Sequence, residues 1–243
     1  MRRRPHPLLC ELHAHTTWSD GTLSPRELVD LYGRAGFDVL AITDHTVRLE
    51  DPWLPEAEWV PRDIHARNHD AYLAEVGREA ARAHALYDLL VLPGLELTWN
   101  DRDASAAGHA VAVGLREFVG VEDGLEAALV LARELGAALI AAHPYDLADA
   151  RDRARQTQRF AADPSLRDLC DRWELFNRDD LFAWVASERL PTVASGDFHN
   201  PEHLATWKTL LPCEKTEDAV VAYLKSGRPT YLARLEDAPP LAA

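Results

Sequence analysis

Lysine is nearly missing from this chain. It occurs only at Lys208, Lys215 and Lys225, arginine supplying the other basic residues, which reads as a coding bias and not as function. Lys and Arg total 26 against 40 Asp and Glu, for a formal net charge of −14. A general binder of long nucleic acid should be basic, so that class is disfavoured. A small phosphorylated substrate stays admissible, because bound metal ions invert the local charge. Cysteine is scarce too: Cys10, Cys170 and Cys213 are odd in number and isolated, with no CxxC pair. That argues against a disulfide framework and for a cytoplasmic setting. Met1-Arg2-Arg3-Arg4 is followed by no apolar signal region, and no apolar stretch is long enough to span a membrane.

What is present is an ordinary globular balance, 47% hydrophobic and 27% charged over 243 residues. That length fits one domain, with a core from about residue 8 to 233 and a loose tail over 236–243. Ser24-Pro25-Arg26-Glu27 is a capping box with proline at the first helical position. Leu28, Leu31, Tyr32 and Ala35 follow at helical spacing between two apolar runs, a strand–helix–strand start that favours a parallel sheet. Further helices are expected at about 63–87, 122–135, 179–188 and 216–224. Strands are expected before Glu96 and His143, at 173–176, at 191–194 and near 230–232. The residues between Glu96 and His109 leave little room for a crossover helix. A hairpin is therefore expected, placing His109 at the start of an antiparallel strand beside Glu96.

Histidines and carboxylates stand where most of these strands stop. Leu8–Leu12 runs into His13-Ala14-His15, Val39–Ile42 into Thr43-Asp44-His45, and Leu89–Leu95 into Glu96. Ala137–Ala142 runs into His143, and Pro191–Ala194 into Ser195-Gly196-Asp197-Phe198-His199. Imidazole and carboxylate bind divalent first-row metals, and strand ends at one rim of a β/α barrel can bring them together. His13 and His15, two apart on extended chain, point to one side. Asp20 lies in the loop beyond them, and Glu96 can bridge two ions as a neutral imidazole cannot. His13, His15, Asp20, His45, Glu96, His109, His143, Asp197 and His199 exceed the needs of one ion, implying two or three. His65 and His69 have helical spacing but lack an intervening motif and read as surface residues. Asp44 is expected to orient a ligand histidine.

The ordered set resembles the PHP (polymerase and histidinol phosphatase) family. The matching stretches are Glu11-Leu12-His13-Ala14-His15 with Ser19-Asp20-Gly21, Thr43-Asp44-His45, Gly94-Leu95-Glu96, Gly108-His109, His143-Pro144 and Gly196-Asp197-Phe198-His199. The resemblance spans roughly residues 8–233 and implies an α/β fold, a distorted (β/α)7 barrel with mostly parallel strands and one hairpin-like antiparallel strand. It also implies a trinuclear centre of Mn, Fe or Zn and phosphoester hydrolysis. By that analogy His13, His15, Glu96 and Asp197 hold one ion, Glu96, His109 and His143 a second, and Asp20, His45 and His199 a third.

The expected reaction is hydrolysis of a small phosphomonoester or nucleotide by a hydroxide bridging two ions, with His13, His15, Glu96, Asp197 and His199 carrying the catalysis. Arg178, and then Arg48, are the candidates to hold phosphate, since a guanidinium matches phosphate geometry. Two other readings compete: a nuclease acting on short oligonucleotides, and a non-catalytic regulatory metal domain. The chain departs from many relatives at Phe198, expected to reshape the pocket wall, and at Tyr145, close to where an arginine often lies. Asp51–Pro61, with Trp53 and Trp59, is expected to form a partial lid.

Overall fold

Ser24 starts the first helix as its sequence dictates. The Ser24 hydroxyl accepts from Glu27 N, and the Glu27 carboxylate accepts from Ser24 N, opening α1 (Pro25–Arg34). This computed structural model describes residues 6–52, 63–148 and 157–236. The expected Trp53–Trp59 lid and the tail from 237 onward lie outside the described residues. Leu28, Val29, Leu31 and Tyr32 bury one face of α1, which joins β1 (Leu8–Glu11) to its parallel neighbour β2 (Val39–Ile42). The strands that follow are β3 (His45–Val47), β4 (Leu90–Trp99), β5 (Gly108–Val113), β6 (Ala138–Ala142) and β7 (Arg172–Asn177). The last four are β8 (Asp180–Leu181), β9 (Thr192–Ser195), β10 (Trp207–Leu211) and β11 (Tyr231–Arg234). Between them run α2 (His69–Tyr87), α3 (Leu125–Glu134), α4 (Arg159–Ala162), α5 (Ala183–Ser187) and α6 (Glu217–Lys225).

All the strands join one 11-stranded sheet in the order β11-β10-β1-β2-β4-β5-β6-β7-β8, with β3 on β4 and β9 on β7. Followed through the pairings, β1, β2, β4, β6, β7 and β9 share one direction. β5 runs against both neighbours, so the hairpin expected between Glu96 and His109 is present, with Thr98 opposite His109. The sheet curls into a half-barrel far enough that Ala14, beyond β1, bridges Phe198, beyond β9. His15 N donates to Phe198 O at 2.8 Å and Phe198 N to His13 O at 3.1 Å. The strand ends named in the sequence therefore meet at one rim.

Alternation along each strand divides the core in two. Leu40 and Ile42 of β2 and Leu139 and Ala141 of β6 pack outward against the helices. Val39 and Ala41, with Ala138, Ile140 and Ala142, pack with Cys10, Leu92, Val111 and Val193 on the other face.

Three expectations need correction. The helix expected from residue 63 begins at His69, because the Asn68 side chain accepts from His65 N and donates to Asp63 O, holding a turn ahead of it. The helix expected over 179–188 is replaced by β8, folded back on β7, and the short α5. The reversal is made at Arg178, whose φ of 53° lies in the left-handed region. Phe198 does not reshape a pocket wall; it is fully buried edge-on to Tyr32, ring centroids 5.5 Å apart.

β10 carries a buried charge. Lys208 is fully buried, and its Nζ lies 2.9 Å from Glu11 Oε2, 3.0 Å from His203 O and 2.8 Å from Thr206 Oγ1. Glu11 also receives Tyr32 OH, Leu12 N, His13 N and Gly196 N, so one carboxylate ties the end of β1 to the turn after β9. A side chain at position 196 would collide with Lys208 Nζ and Glu11 Oε2, which is why glycine stands there.

Removing one partner of a buried ion pair strands the other charge in low dielectric. Lys208→Ala should cost about 3–5 kcal/mol in urea unfolding. Lys215→Ala, which loses only partly exposed pairs to Asp38 and Asp88, should cost far less. Equal losses at the two positions would show that Glu11 does not depend on Lys208.

Candidate metal centre

Beyond Glu11 the chain stays extended, and its backbone is held on both sides. Ala14 N donates to Thr43 Oγ1 at 3.1 Å, and Thr43 N donates to Ala14 O at 2.8 Å. With Ala14 buried in the core, His13 and His15 emerge together, ring centroids 5.0 Å apart. The loop then doubles back at Gly21, where a Cβ would fall 2.5 Å from His15 C and 2.6 Å from Thr16 N. That return brings Asp20 Oδ1 to 3.5 Å from His45 Nε2 and Asp20 Oδ2 to 3.1 Å from His199 Nε2. Asp44 organises this loop instead of gripping a histidine, which corrects the expectation for it. Its oxygens accept from Thr16 N, Thr16 Oγ1, Ser19 N and Ser19 Oγ at 2.6–3.1 Å.

Glu96 lies at the middle of the rim, fully buried. Its Oε2 is 3.3 Å from both His13 Nε2 and His15 Nε2, and 2.8 Å from His45 Nδ1. Its Oε1 faces the other way, 3.1 Å from His109 Nδ1 and 3.3 Å from His143 Nε2. The reversed β5 thus delivers His109 to the rim by starting there.

The remaining groups sit on strained backbone. His143 and Asp197, at the exits of β6 and β9, have φ of 31° and 42°, a region that side chains seldom adopt and that clusters at functional sites. Asp197 Oδ1 lies 3.5 Å from His13 Nε2, 3.4 Å from His15 Nε2 and 3.4 Å from His199 Nδ1. Arg178 reaches the same corner: its Nη2 donates to Asp197 Oδ2 and lies 3.1 Å from His199 Nδ1.

Among the described residues, three groups of donor atoms are close enough to hold an ion: His15, Asp20, His45 and His199; His13, His15 and Asp197; and His13, Glu96 and His143. His109 falls outside them, since its Nε2 is turned to Asn100 Oδ1 at 2.9 Å. Among the described residues, the buried polar atoms without a hydrogen bond include His13 Nε2, His15 Nε2, Asp20 Oδ1 and Glu96 Oε2. Leaving such atoms unsatisfied is costly, and here they converge, so the residues fit divalent cations.

Protonation divides the donors. Burial works to raise the Glu96 carboxyl, yet the charges of His45 and His13 hold it well below the ordinary value. Asp197 is likewise held down, against burial, by His13 and His199. Burial, joined by the charges of His199 and His45, pushes His15 down to about 3, so it stays neutral. His13 and His45 go the other way. Burial would lower them, but Asp197 and Glu96 raise His13, and Glu96 and Asp20 raise His45, well above the usual imidazole range.

Arg48, His65 and His69 lie away from the rim, and residues beyond the expected set support it. The Arg48 guanidinium lies 4.0 Å over the Trp99 ring and donates to Asn100 O at 2.7 Å. His69, expected at the surface, is buried beside Tyr72 and Phe118, and His65 pairs with Asp63. Thr98 and Thr157 hold the Nδ1 atoms of His45 and His143 at 2.7 and 3.1 Å. Glu174 on β7 was also missed. It is a buried acid between the apolar residues Trp173 and Leu175-Phe176 in a strand that ends at the rim, and that was the signal available.

Comparison with known proteins returned a family model for the PHP domain over residues 11–163, more than half of the chain. A 40-residue stretch, 16% of the chain, is 45% identical to the DNA polymerase/3'-5' exonuclease PolX of Bacillus subtilis, and the match spans only 7% of that protein's length. Among solved structures, a two-domain protein from Bacteroides vulgatus containing a predicted PHP-like metal-dependent phosphoesterase superimposes with a TM-score of 0.65 at 18% identity. That superposition covers 97% of this chain and 70% of the other, and shows a common fold. A second structure, a candidate metal-dependent phosphoesterase from Bifidobacterium adolescentis, gives 0.47 at 18% identity over 79% and 88% of the two chains.

Protons on His13 and His45 must leave before either can ligate a cation. Binding of manganese or zinc, followed by calorimetry in several buffers, should therefore release protons, and apparent affinity should rise from about pH 6 to about pH 8. His15→Ala should lower bound metal measured by atomic emission, with His84→Ala as an exposed control. Affinity flat across that range would contradict the assigned protonation, and undiminished metal in His15→Ala would contradict the site.

Proposed function

We propose, from the premise that this chain belongs to the PHP domain family, that it is a metal-dependent phosphoesterase acting on a small phosphomonoester or nucleotide. The observation that carries the reading is the set of buried, unsatisfied donor atoms of His13, His15, Asp20 and Glu96, turned toward one another at the strand ends. His13, His15, Asp197, Glu96 and His143 would hold ions on the buried side, and Asp20, His45 and His199, with His15, on the open side. Two to three divalent ions, Mn, Fe or Zn, suit imidazole and carboxylate donors. When bound, they supply Lewis-acid polarisation of the phosphoryl group and lower the cost of deprotonating water.

The chain's own residues set direction and access. His13, His15 and Glu96 are sealed from solvent, whereas the side chains of Asp20, His45 and His199 are about a fifth to a quarter exposed. Substrate would approach over that open edge. Arg178, 40% exposed and already on Asp197 and His199, stands beside it and would turn a guanidinium N–H toward a phosphate oxygen. His109 would support Glu96 through Nδ1, its Nε2 being held by Asn100. Arg48, bound to Trp99 and Asn100, is the weaker candidate for phosphate.

A second reading, removal of nucleotides from short oligonucleotides, draws on the short stretch shared with a polymerase/exonuclease. The net charge of −14 works against long polyanions. A non-catalytic regulatory role is opposed by the three groups of donors that meet at the rim.

Metal-loaded protein assayed against phosphomonoesters, nucleotides and short oligonucleotides should turn over the first two best. Arg178→Ala should lower kcat/KM by roughly 10–100-fold, the worth of a charge-assisted hydrogen bond, with folding and metal content kept. No turnover on any substrate with manganese, iron or zinc would end the enzyme reading, and better rates on oligonucleotides would select the nuclease.

A further inference from the structure

Glu174 lies beneath the rim, fully buried, and touches the exits of three other strands. Its Oε2 accepts from His143 N at 2.6 Å and from Asn177 Nδ2 at 2.8 Å. Its Oε1 accepts from the Ser195 hydroxyl and faces His13 Nδ1 at 3.0 Å. Backbone N–H, amide NH2 and hydroxyl all donate here, so the carboxylate is an acceptor on both oxygens. The proton between Glu174 and His13 therefore sits on His13 Nδ1, and Nε2 is the nitrogen left to meet a cation. That Nε2 is the atom 3.3 Å from Glu96 Oε2 and 3.5 Å from Asp197 Oδ1, and it has no hydrogen bond of its own.

We infer that Glu174 is a positioning residue for the metal centre: it fixes the ring and proton of His13 so that Nε2 faces the ions, and it pins the strained backbone of His143. The inference rests on the reading of the rim as a cation site. His13 and His143 belong, with Glu96, to one of the three donor groups, so one carboxylate sets two of that group's three members. An imidazole whose far nitrogen donates to a carboxylate is held in orientation and made more basic as a ligand, and loss of such a partner typically weakens metal binding by roughly 10–100-fold. Glutamine cannot replace it. Its amide either presents N–H to His13 Nδ1, which forces the proton to Nε2, or presents N–H to the donors on His143 and Asn177.

The test uses zinc, which is diamagnetic, on the full chain. Wild-type protein loaded with zinc should show, in long-range 1H–15N spectra, His13 carrying its proton on Nδ1 and bound to metal through Nε2. Glu174→Gln should lose that signature and bind zinc roughly 10–100-fold more weakly in competition with a chromogenic chelator, while its metal-free circular dichroism matches wild type. Equal zinc affinity in the two proteins would overturn the inference and leave the metal reading standing. No zinc binding by wild type would overturn both. Should the variant fail to fold, the wild-type spectrum decides, because His13 ligating through Nδ1 is incompatible with Glu174 in this role.

Discussion

A carboxylate taken wholly out of water persists only where positive charge or hydrogen-bond donors answer it. Glu96 is such a group, and the arrangement of the rim follows from its two oxygens. One turns to His13, His15 and His45, the other to His109 and His143. These imidazoles come from the exits of β1 and β6 and the entries of β3 and β5. No single helix or hairpin could supply them; a curled sheet with converging strand ends can. The reversal of β5 belongs to the same requirement. A strand running with its neighbours would have carried His109 to the opposite end of the barrel.

Beneath this layer lie two more buried acids with a different task. Glu11 and Glu174 face backbone amides, hydroxyls and Lys208, and each spans strands that are far apart in sequence. Glu11 joins the His13 turn to Gly196, and Glu174 joins the same turn to His143 and Ser195. Apolar packing tolerates small slips of one strand past another, but a carboxylate with several fixed donors does not. The first and last motifs of the chain are thus held in register by hydrogen bonds. That is how strained φ values at His143 and Asp197 persist: the surrounding network over-determines them.

Much of this was legible in the sequence, because strand ends, capping boxes and hairpin lengths are local signals. The capping box at Ser24, the hairpin before His109 and the convergence of His13, His15, Asp20, His45, Glu96, Asp197 and His199 needed only spacing and strand periodicity. What escaped depends on partners that spacing does not reveal. Trp207–Leu211 carries Lys208 inside a strand, and a lysine there looks like a surface residue until Glu11 is known to face it. The 179–188 stretch has helical composition, yet its first residues fold back as β8 because Arg178 takes a left-handed turn. Asp44 stands next to His45 in sequence and so suggested a histidine partner, but its neighbours in space are Thr16 and Ser19. Glu174 carries no motif of its own; its meaning comes entirely from the strands on either side.

The distribution of exposure narrows what the proposed activity can serve. The donors deepest in the protein, His13, His15 and Glu96, are inaccessible, and among the described residues the rim is most open along Asp20, His45, His199 and Arg178. An anionic substrate must cross a surface whose overall charge is strongly negative to reach that edge. For a long polyanion the repulsion accumulates over every phosphate lying outside the site, where no ion compensates it. For a compact phosphomonoester it would not, because the charged group would lie within reach of bound ions and of Arg178. On the proposed reading, the negative field that would draw divalent cations to the rim would also disfavour long substrates, without any contact made for that purpose.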